Sequence, residues 1–417
     1  MLIPQALLGI VTFIAVAWIF SESRKNVNFK QVIIGLLIQF LLAVLVLKID
    51  AVRNGFLFVG DGVMALKDAT VAGTSFVFGY LGGGDSPFSA KDGANTFIFA
   101  FQALPVVIVV SAIAMLLFHW QILPVLVKFF SKGFQKVMGI GGALGVCAAA
   151  KMFLGQTEAP LLIRPYLGKF TRSELFTVMV AGMATTSISI MVLYGMILEK
   201  VIMNPIAHIL TASVISVPAA ITISRILIPQ VGEETSGHLV VPYKFSGSMD
   251  AISQGTSDGM RLFMNILAML IVFLSLVALT NAILGLFPGI GGEPMSLQLL
   301  LGYALSPLAW LMGIPWDEAL IAGGLLGKKT ILNEIVAFIS LASIPQGIFS
   351  AKTSLIMTYA LCGFANLSSI GIQIGGIGTM VPERRQEIIS LGLKAMIAGT
   401  VASCMSGAMI GIITSFG

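Results

Sequence analysis

Gly155-Gln156-Thr157-Glu158-Ala159-Pro160 interrupts an apolar stretch at residues 143–167 of a 417-residue chain that is 57% hydrophobic and only 10% charged. An amide, a hydroxyl and a carboxylate side by side at membrane depth are costly unless they face a partner, a cavity or a ligand. Gly155 and Pro160 break a helix there, and the remaining arms are too short to cross a hydrocarbon core that takes about 20 helical residues. A re-entrant hairpin with a polar tip meets both conditions, because irregular backbone survives at that depth only when covered by protein or lining a wet cavity. A second interrupted run, residues 319–342, carries Lys328, Lys329, Asn333 and Glu334 and takes the same reading.

Working outward from these hairpins, the chain reads as an all-α polytopic membrane protein. Long apolar runs predict eight transmembrane helices, at residues 3–20, 32–47, 96–120, 175–198, 206–228, 262–287, 354–377 and 388–416. The first is followed by further membrane segments and lacks a small-residue cleavage site, so it reads as a retained helix and not a signal peptide. Residues 52–68, 122–137 and 297–311 read as interfacial helices lying along the membrane surface. The second is the clearest, with Lys128, Lys132 and Lys136 forming a basic stripe against Leu126, Phe129, Phe130 and Val137. The one long polar connection, residues 229–258, is the expected hinge between halves.

Basic residues set the orientation. Arg24, Lys25, Lys30, Lys128, Lys132, Lys136, Lys169, Arg172, Arg384 and Arg385 fall on one side if eight spans alternate, against Lys48, Arg53, Lys67, Lys91 and Lys200 on the other. The richer side is expected to be the cytoplasm, which puts both termini outside. The net charge of +5 is this topology signal and not a nucleic-acid footprint.

An internal repeat organises the rest. Gly182-Met183-Ala184-Thr185-Thr186-Ser187 matches Gly363-Phe364-Ala365-Asn366-Leu367-Ser368, and Ser173 and Ser354 each lie nine residues before the glycine. Each copy follows an interrupted hairpin and precedes one further span. The plan is hairpin, broken helix, helix, twice over, and eight spans place the two hairpins on opposite faces. The copies are then an inverted repeat, the architecture of secondary transporters with a site near the midplane. The expected division is scaffold and interfacial helices in 1–138, the first repeat in 139–228, a linker with a scaffold and an interfacial helix in 229–315, and the second repeat in 316–417.

At this point the residues resemble a family. Residues 155–160, Asn333-Glu334-Ile335-Val336-Ala337-Phe338 and residues 363–370 are similar to three signature segments of the concentrative nucleoside transporters. Gly73-Thr74-Ser75-Phe76-Val77-Phe78-Gly79, the Phe97–Phe101 run ending at Leu104-Pro105, and Gly313-Ile314-Pro315-Trp316 resemble that family in the same order along the chain. The resemblance implies a homotrimer whose scaffold surrounds a mobile transport domain of two hairpins and two broken helices. It also implies a nucleoside substrate, alternating access, and a bacterial member of the inner membrane.

The chemistry of the matching residues suits that cargo. Gln156 presents donor and acceptor to a base edge, and Thr157 does either through its hydroxyl. Glu158 accepts from base N–H groups, and Phe364 covers a base plane. Glu334 and Asn366 suit the two adjacent ribose hydroxyls, since a carboxylate makes strong, directional charge-assisted bonds. Ser369 lies three residues after Asn366 and therefore on the same helical face. Gly155 frees the tip. Plain interhelical hydrogen bonding is the structural alternative for Gln156, Thr157, Asn366 and Ser369.

At the coupling ion this chain departs from the family's sodium-coupled pattern. Those members carry an asparagine four residues before the Gly-Gln tip, and here that position is Lys151. An ammonium has no lone pair to offer sodium and repels it. Lys151, with the Thr185 hydroxyl in the broken helix, therefore marks the ion-coupling region. H+ is the expected coupling ion and Na+ the alternative. No cofactor and no metal are expected: His119, His208 and His238 lack ligand spacing, and Cys147, Cys362 and Cys404 lie in apolar segments with neither pairing nor metal spacing. An intramembrane enzyme acting on a lipid-like substrate needs clustered acids or histidines at the membrane boundary, and a channel needs a continuous polar pore. Neither pattern is present.

Overall fold

A computed structural model of the chain describes residues 2–87, 97–240, 243, 245–289 and 294–416; Lys91 and Thr96, used above, lie outside them. In chain order the helices are α1 (Leu2–Ile19), α2 (Phe29–Lys48), α3 (Asp50–Phe78), α4 (Phe99–Gln102), α5 (Val106–His119), α6 (Ile122–Met138), α7 (Gly142–Ala150), α8 (Glu158–Leu161) and α9 (Arg172–Ala184). They continue with α10 (Ile188–Leu198), α11 (Pro205–Leu227), α12 (Ser248–Leu284), α13 (Leu297–Leu311), α14 (Trp316–Ile331), α15 (Glu334–Ala342), α16 (Ala351–Leu361), α17 (Leu367–Met380) and α18 (Arg385–Ile413).

All eight expected spans are helical. Six pass a simple test of length and apolarity among the described residues. The other two fall short for local reasons. α1 is marginal in length, and the seventh span divides into α16 and α17 around residues 362–366. The fourth divides likewise into α9 and α10 around residues 185–187. The first break falls at Thr185, Thr186 and Ser187 and the second at Gly363 and Asn366, residues whose side chains bond locally or whose backbone is free to leave the helix.

The repeat plan appears as α7–α8, α9–α10 and α11, then α14–α15, α16–α17 and α18. It extends to single bonds. Thr177 donates to the Ser173 carbonyl at 2.7 Å, and Thr358 at the matching place donates to the Ser354 carbonyl at 2.9 Å. The hairpins differ in their second arms. In the first, α8 is a single turn followed by a 3-10 stretch at Arg164–Lys169, while in the second α15 is a nine-residue helix started by the Asn333 side chain, which accepts from the Val336 N–H at 3.0 Å. An N-cap of this kind is worth about 1 kcal/mol.

Without hydrophobic attraction between helices in lipid, close packing relies on small residues. α12 seats Gly255 and Gly259 against Ser111, Ala112 and Ile108 of α5, so near that added Cβ atoms would come within 2.7 Å. Gly323 does the same between α13 and α14, where an added Cβ would lie 2.6 Å from the Gly302 carbonyl, the chain turning through 117° between the two helices. Buried hydroxyls and amides add interhelical bonds, with Gln39 of α2 donating to Ser406 of α18 at 3.1 Å and Ser216 of α11 sharing that hydroxyl.

Of the helices expected to lie along the membrane surface, α6 and α13 have the expected bounds to within a residue. α3 runs ten residues beyond the expected 68, carrying Gly73 within it and ending at Gly79 at φ +61°. The long polar connection is shorter than expected. Its polar run ends where α12 starts at Ser248, and residues 229–240 lie against the first hairpin. The Thr235 amide and hydroxyl donate to Glu174 at 2.8 and 2.7 Å, the Gly141 amide donates to Glu234 at 3.1 Å, and the Val240 amide donates to the Leu162 carbonyl at 2.9 Å.

Two of the basic residues assigned to one side, Arg172 and Arg384, lie in one cluster of ion pairs. Arg172 and Lys394 both reach Glu22 at 3.0 Å, Arg384 pairs with Glu387 at 2.7 Å, and the Arg384 guanidinium also donates to the Leu167 and Phe170 carbonyls.

Candidate functional site

The two hairpin tips and the two helix breaks converge. α15 begins at one binding candidate, Glu334, behind the cap Asn333, and α17 is capped by another, Asn366. Capping commits the Asn366 oxygen, which accepts from the Ser369 N–H at 2.9 Å and the Ser368 hydroxyl at 2.6 Å. Its amide nitrogen is thereby aimed outward and donates to Glu334 Oε2 at 2.9 Å. The other carboxylate oxygen, Oε1, accepts from the Tyr194 hydroxyl at 2.7 Å. Tyr194 stands on α10, so a residue of the first repeat orients the carboxylate of the second. Tyr194 and Glu334 are both buried.

Gln156 forms the facing half. Its amide nitrogen donates to Ser369 Oγ at 3.3 Å, and its oxygen accepts from Gln373 Nε2 at 3.4 Å. Gln373 in turn donates to the Met179 carbonyl at 2.9 Å, which ties α17 to α9. Ser369 thus touches both groups, with its N–H on Asn366 and its hydroxyl on Gln156. The Gln373 side-chain oxygen is buried and has no partner among the described residues, so acceptor capacity remains at this junction.

The remaining candidates line the first tip. Glu158 Oε2 accepts from the Gly155 N–H at 2.8 Å, which closes the tip as a tight turn. Thr157 turns its methyl group onto α17, where a side chain at Gly376 would come within 2.3 Å of it. Phe364 sits half-buried in the second break, its carbonyl accepting from the Asn366 N–H at 2.8 Å.

Lys151 is fully buried and donates to the Gly155 carbonyl at 2.9 Å. Its ammonium lies beside Gly182 in the last turn of α9, where an added Cβ would be 3.2 Å from Nζ, 2.7 Å from Gln373 Nε2 and 3.3 Å from Gln156 Cβ. That is the negative end of a half-helix, a favourable place for a cation. The Thr185 hydroxyl donates to the Ala181 carbonyl at 2.7 Å, leaving its oxygen lone pairs available.

Two participants, Tyr194 and Gln373, were not among the sequence candidates. Both carried a signal. A phenol in a lipid-spanning helix needs a partner for its hydroxyl, and Gln373 follows Asn366 and Ser369 at helical spacing on one face. Among the described residues no cluster of three or more acidic, histidine or cysteine side chains is placed to hold a metal.

Comparison with known proteins follows this geometry. Models of the Na+ dependent nucleoside transporter N-terminus and C-terminus match residues 8–81 and 208–411, and a nucleoside recognition "Gate" model matches residues 100–201. The chain is 35% identical to nucleoside permease NupC of Helicobacter pylori, over 98% of this chain and 97% of that one. It is 33% identical to human solute carrier family 28 member 3 over 98% of this chain and 59% of the relative. Among solved structures, the transporter CNTnw in an inward-facing substrate-bound state matches with a TM-score of 0.91 at 33% identity, covering 99% of this chain and 100% of that one. An outward-facing variant of CNTnw also matches at 0.91, covering 100% of this chain and 98% of that one.

Proposed function

This chain belongs to the concentrative nucleoside transporter family, and we propose that it is a proton-driven nucleoside importer whose ribose and base contacts are the residues described above. It is a multi-pass membrane transporter of nucleosides and not an enzyme.

The observation that carries the site is the Tyr194–Glu334–Asn366 arrangement. A carboxylate held by a phenol and an amide keeps lone pairs for two vicinal hydroxyls. Gln156 and Ser369 lie on the far side of Asn366, with Thr157, Glu158 and Phe364 around them, and together they take the base. Inward- and outward-facing forms of CNTnw support alternating access for this chain too. Leu276 and Leu279 of α12 are more than 45% exposed on the single chain, an apolar surface suited to lipid or to another copy, and the family resemblance carries the proposal of a homotrimer in the cell inner membrane.

The matching model is described as Na+ dependent. Lys151 is the reason for assigning protons here. A fixed positive charge about 4 Å from a cation, at an effective dielectric near 20, costs on the order of 4 kcal/mol, or roughly a thousandfold in affinity.

Glu334→Gln tests the site. It is expected to abolish measurable uridine binding by calorimetry while the protein still purifies as a folded assembly. Binding within about twofold of the unmodified protein overturns the ribose assignment.

A further inference from the structure

We infer that Lys329 is a positioning residue for sugar recognition, its ammonium holding the broken end of α16 against the second hairpin and so fixing how Glu334 meets Asn366. This rests on the ribose assignment made above. Lys329 is 0% exposed, and none of the ion pairs found among the described residues includes it. Its one recorded hydrogen bond is from Nζ to the Ala360 carbonyl, at 2.8 Å. A lysine is expensive in such a place, and membrane proteins keep such groups where they do something specific.

The carbonyl it takes explains the site. Ala360 lies in the last turn of α16, which stops at Leu361, and no backbone amide beyond the helix donates to it among the described residues. A helix end leaves its last carbonyls orphaned, and at membrane depth each costs several kcal/mol unless satisfied. The helix dipole adds partial negative charge at the same point. One ammonium answers both needs. Thiols at Cys362 and Cys404 and the Glu334 carboxylate are the titratable groups close enough to feel its charge.

Two bonds therefore join the second hairpin to the broken helix, one on each side of the break. Lys329 holds Ala360 before it, and Glu334 holds Asn366 after it. Lys329 and Glu334 are five positions apart, and Ala360 and Asn366 six, so the four residues close a short ring. Little slack exists within it. Gly363, at φ +154°, is packed so tightly on the end of α9 that an added Cβ would lie 2.8 Å from the Ala184 carbonyl. Releasing the Lys329 bond therefore lets the break drift and moves the Asn366 amide relative to the Glu334 carboxylate. In the first repeat Lys151 spends its bond on its own hairpin tip at Gly155, and hairpin and broken helix are joined instead by the Ile188 N–H, which donates to the Phe153 carbonyl at 3.0 Å, so it is the lysine link that belongs to the second repeat.

A merely structural lysine would affect all nucleosides alike, whereas a positioning residue for the sugar pair affects those with ribose hydroxyls. Uptake of uridine and of 2′,3′-dideoxyuridine into proteoliposomes separates the two. For Lys329→Met the KM for uridine is expected to rise about tenfold, with the dideoxy compound changing less than about twofold, so discrimination between them collapses. Lys329→Gln keeps a donor without the charge, is expected to fall between, and stands in for Lys329→Met if that variant does not insert. Equal loss for both nucleosides, or an unchanged ratio, overturns the inference. Glu334→Gln in the same vesicles distinguishes the two layers: uridine affinity retained there defeats the ribose assignment itself, whereas uridine affinity lost there with equal losses in the Lys329 variants defeats only the role of Lys329.

Discussion

Tyr194 and Glu334 show how a single bond between repeats prepares the site. The phenol donates to one carboxylate oxygen and the Asn366 amide to the other, so the carboxylate plane is set before a sugar arrives. A preset plane removes ordering cost at the moment of binding. Tyr194→Phe is therefore expected to weaken uridine binding by about tenfold, the size of one hydrogen bond to a charged group, without changing the preference between bases. Calorimetry on purified protein reads this directly, and unaltered affinity would show that Asn366 alone suffices. Gln156→Ala is expected to do the reverse, reordering pyrimidine against purine nucleosides several-fold in competition assays. Uniform loss would instead give Gln156 a structural role through Ser369 and Gln373. The polar residues of these tips were legible from sequence because amides and carboxylates have no cheap place in an apolar run. Tyr194 was not, since its ring also reads as ordinary packing and only the fold brings α10 to Glu334.

Helices and their breaks carry the next set of consequences. Gly182 is the point where Lys151, Gln156 and Gln373 meet, and an added methyl would lie 2.7 Å from Gln373 Nε2. That amide is already held by Met179 and cannot withdraw without losing a buried bond. Gly182→Ala is expected to cost most uridine uptake, whereas Gly371→Ala and Gly375→Ala, with open space around them, leave it unchanged; equal uptake in all three would remove Gly182 from the junction. At the face where α1, α9 and α18 meet, Arg172 first and Lys394 next hold the Glu22 carboxyl below its ordinary range, against partial burial. A carboxylate lowered in this way stabilises the fold above its unfolded-state pKa, and that contribution is lost as the pH falls through the folded value. Glu22→Gln is expected to lower the melting temperature by about one degree at neutral pH, the effect of a surface ion-pair network worth about 1 kcal/mol in a chain of this length. The difference from the unmodified protein should vanish in strong acid; a difference that persists there would assign the effect to packing. At this scale the sequence reading located spans and breaks through apolar length and through glycine, proline and hydroxyl interruptions. It missed the docking of residues 229–240 on the first hairpin, because Thr235 and Glu234 make tertiary bonds that leave no periodic trace.

Near the junction of the repeats, Lys151, Lys329 and Glu334 are buried and Glu158 is half-buried. Both lysines bond to backbone carbonyls and not to the carboxylates. Lys151 thus brings its own positive charge to the end of α9, where a carbonyl-rich half-helix terminus would otherwise attract a mobile cation. We propose that this resident charge frees the transporter from sodium. Uridine uptake into proteoliposomes, with proton and sodium gradients imposed separately, tests it most directly. An inward proton gradient is expected to drive accumulation with sodium fully replaced by choline, with collapse on adding a protonophore and partial sodium stimulation regained in Lys151→Asn. Accumulation that follows the sodium gradient and ignores the proton gradient in the unmodified protein would contradict the account.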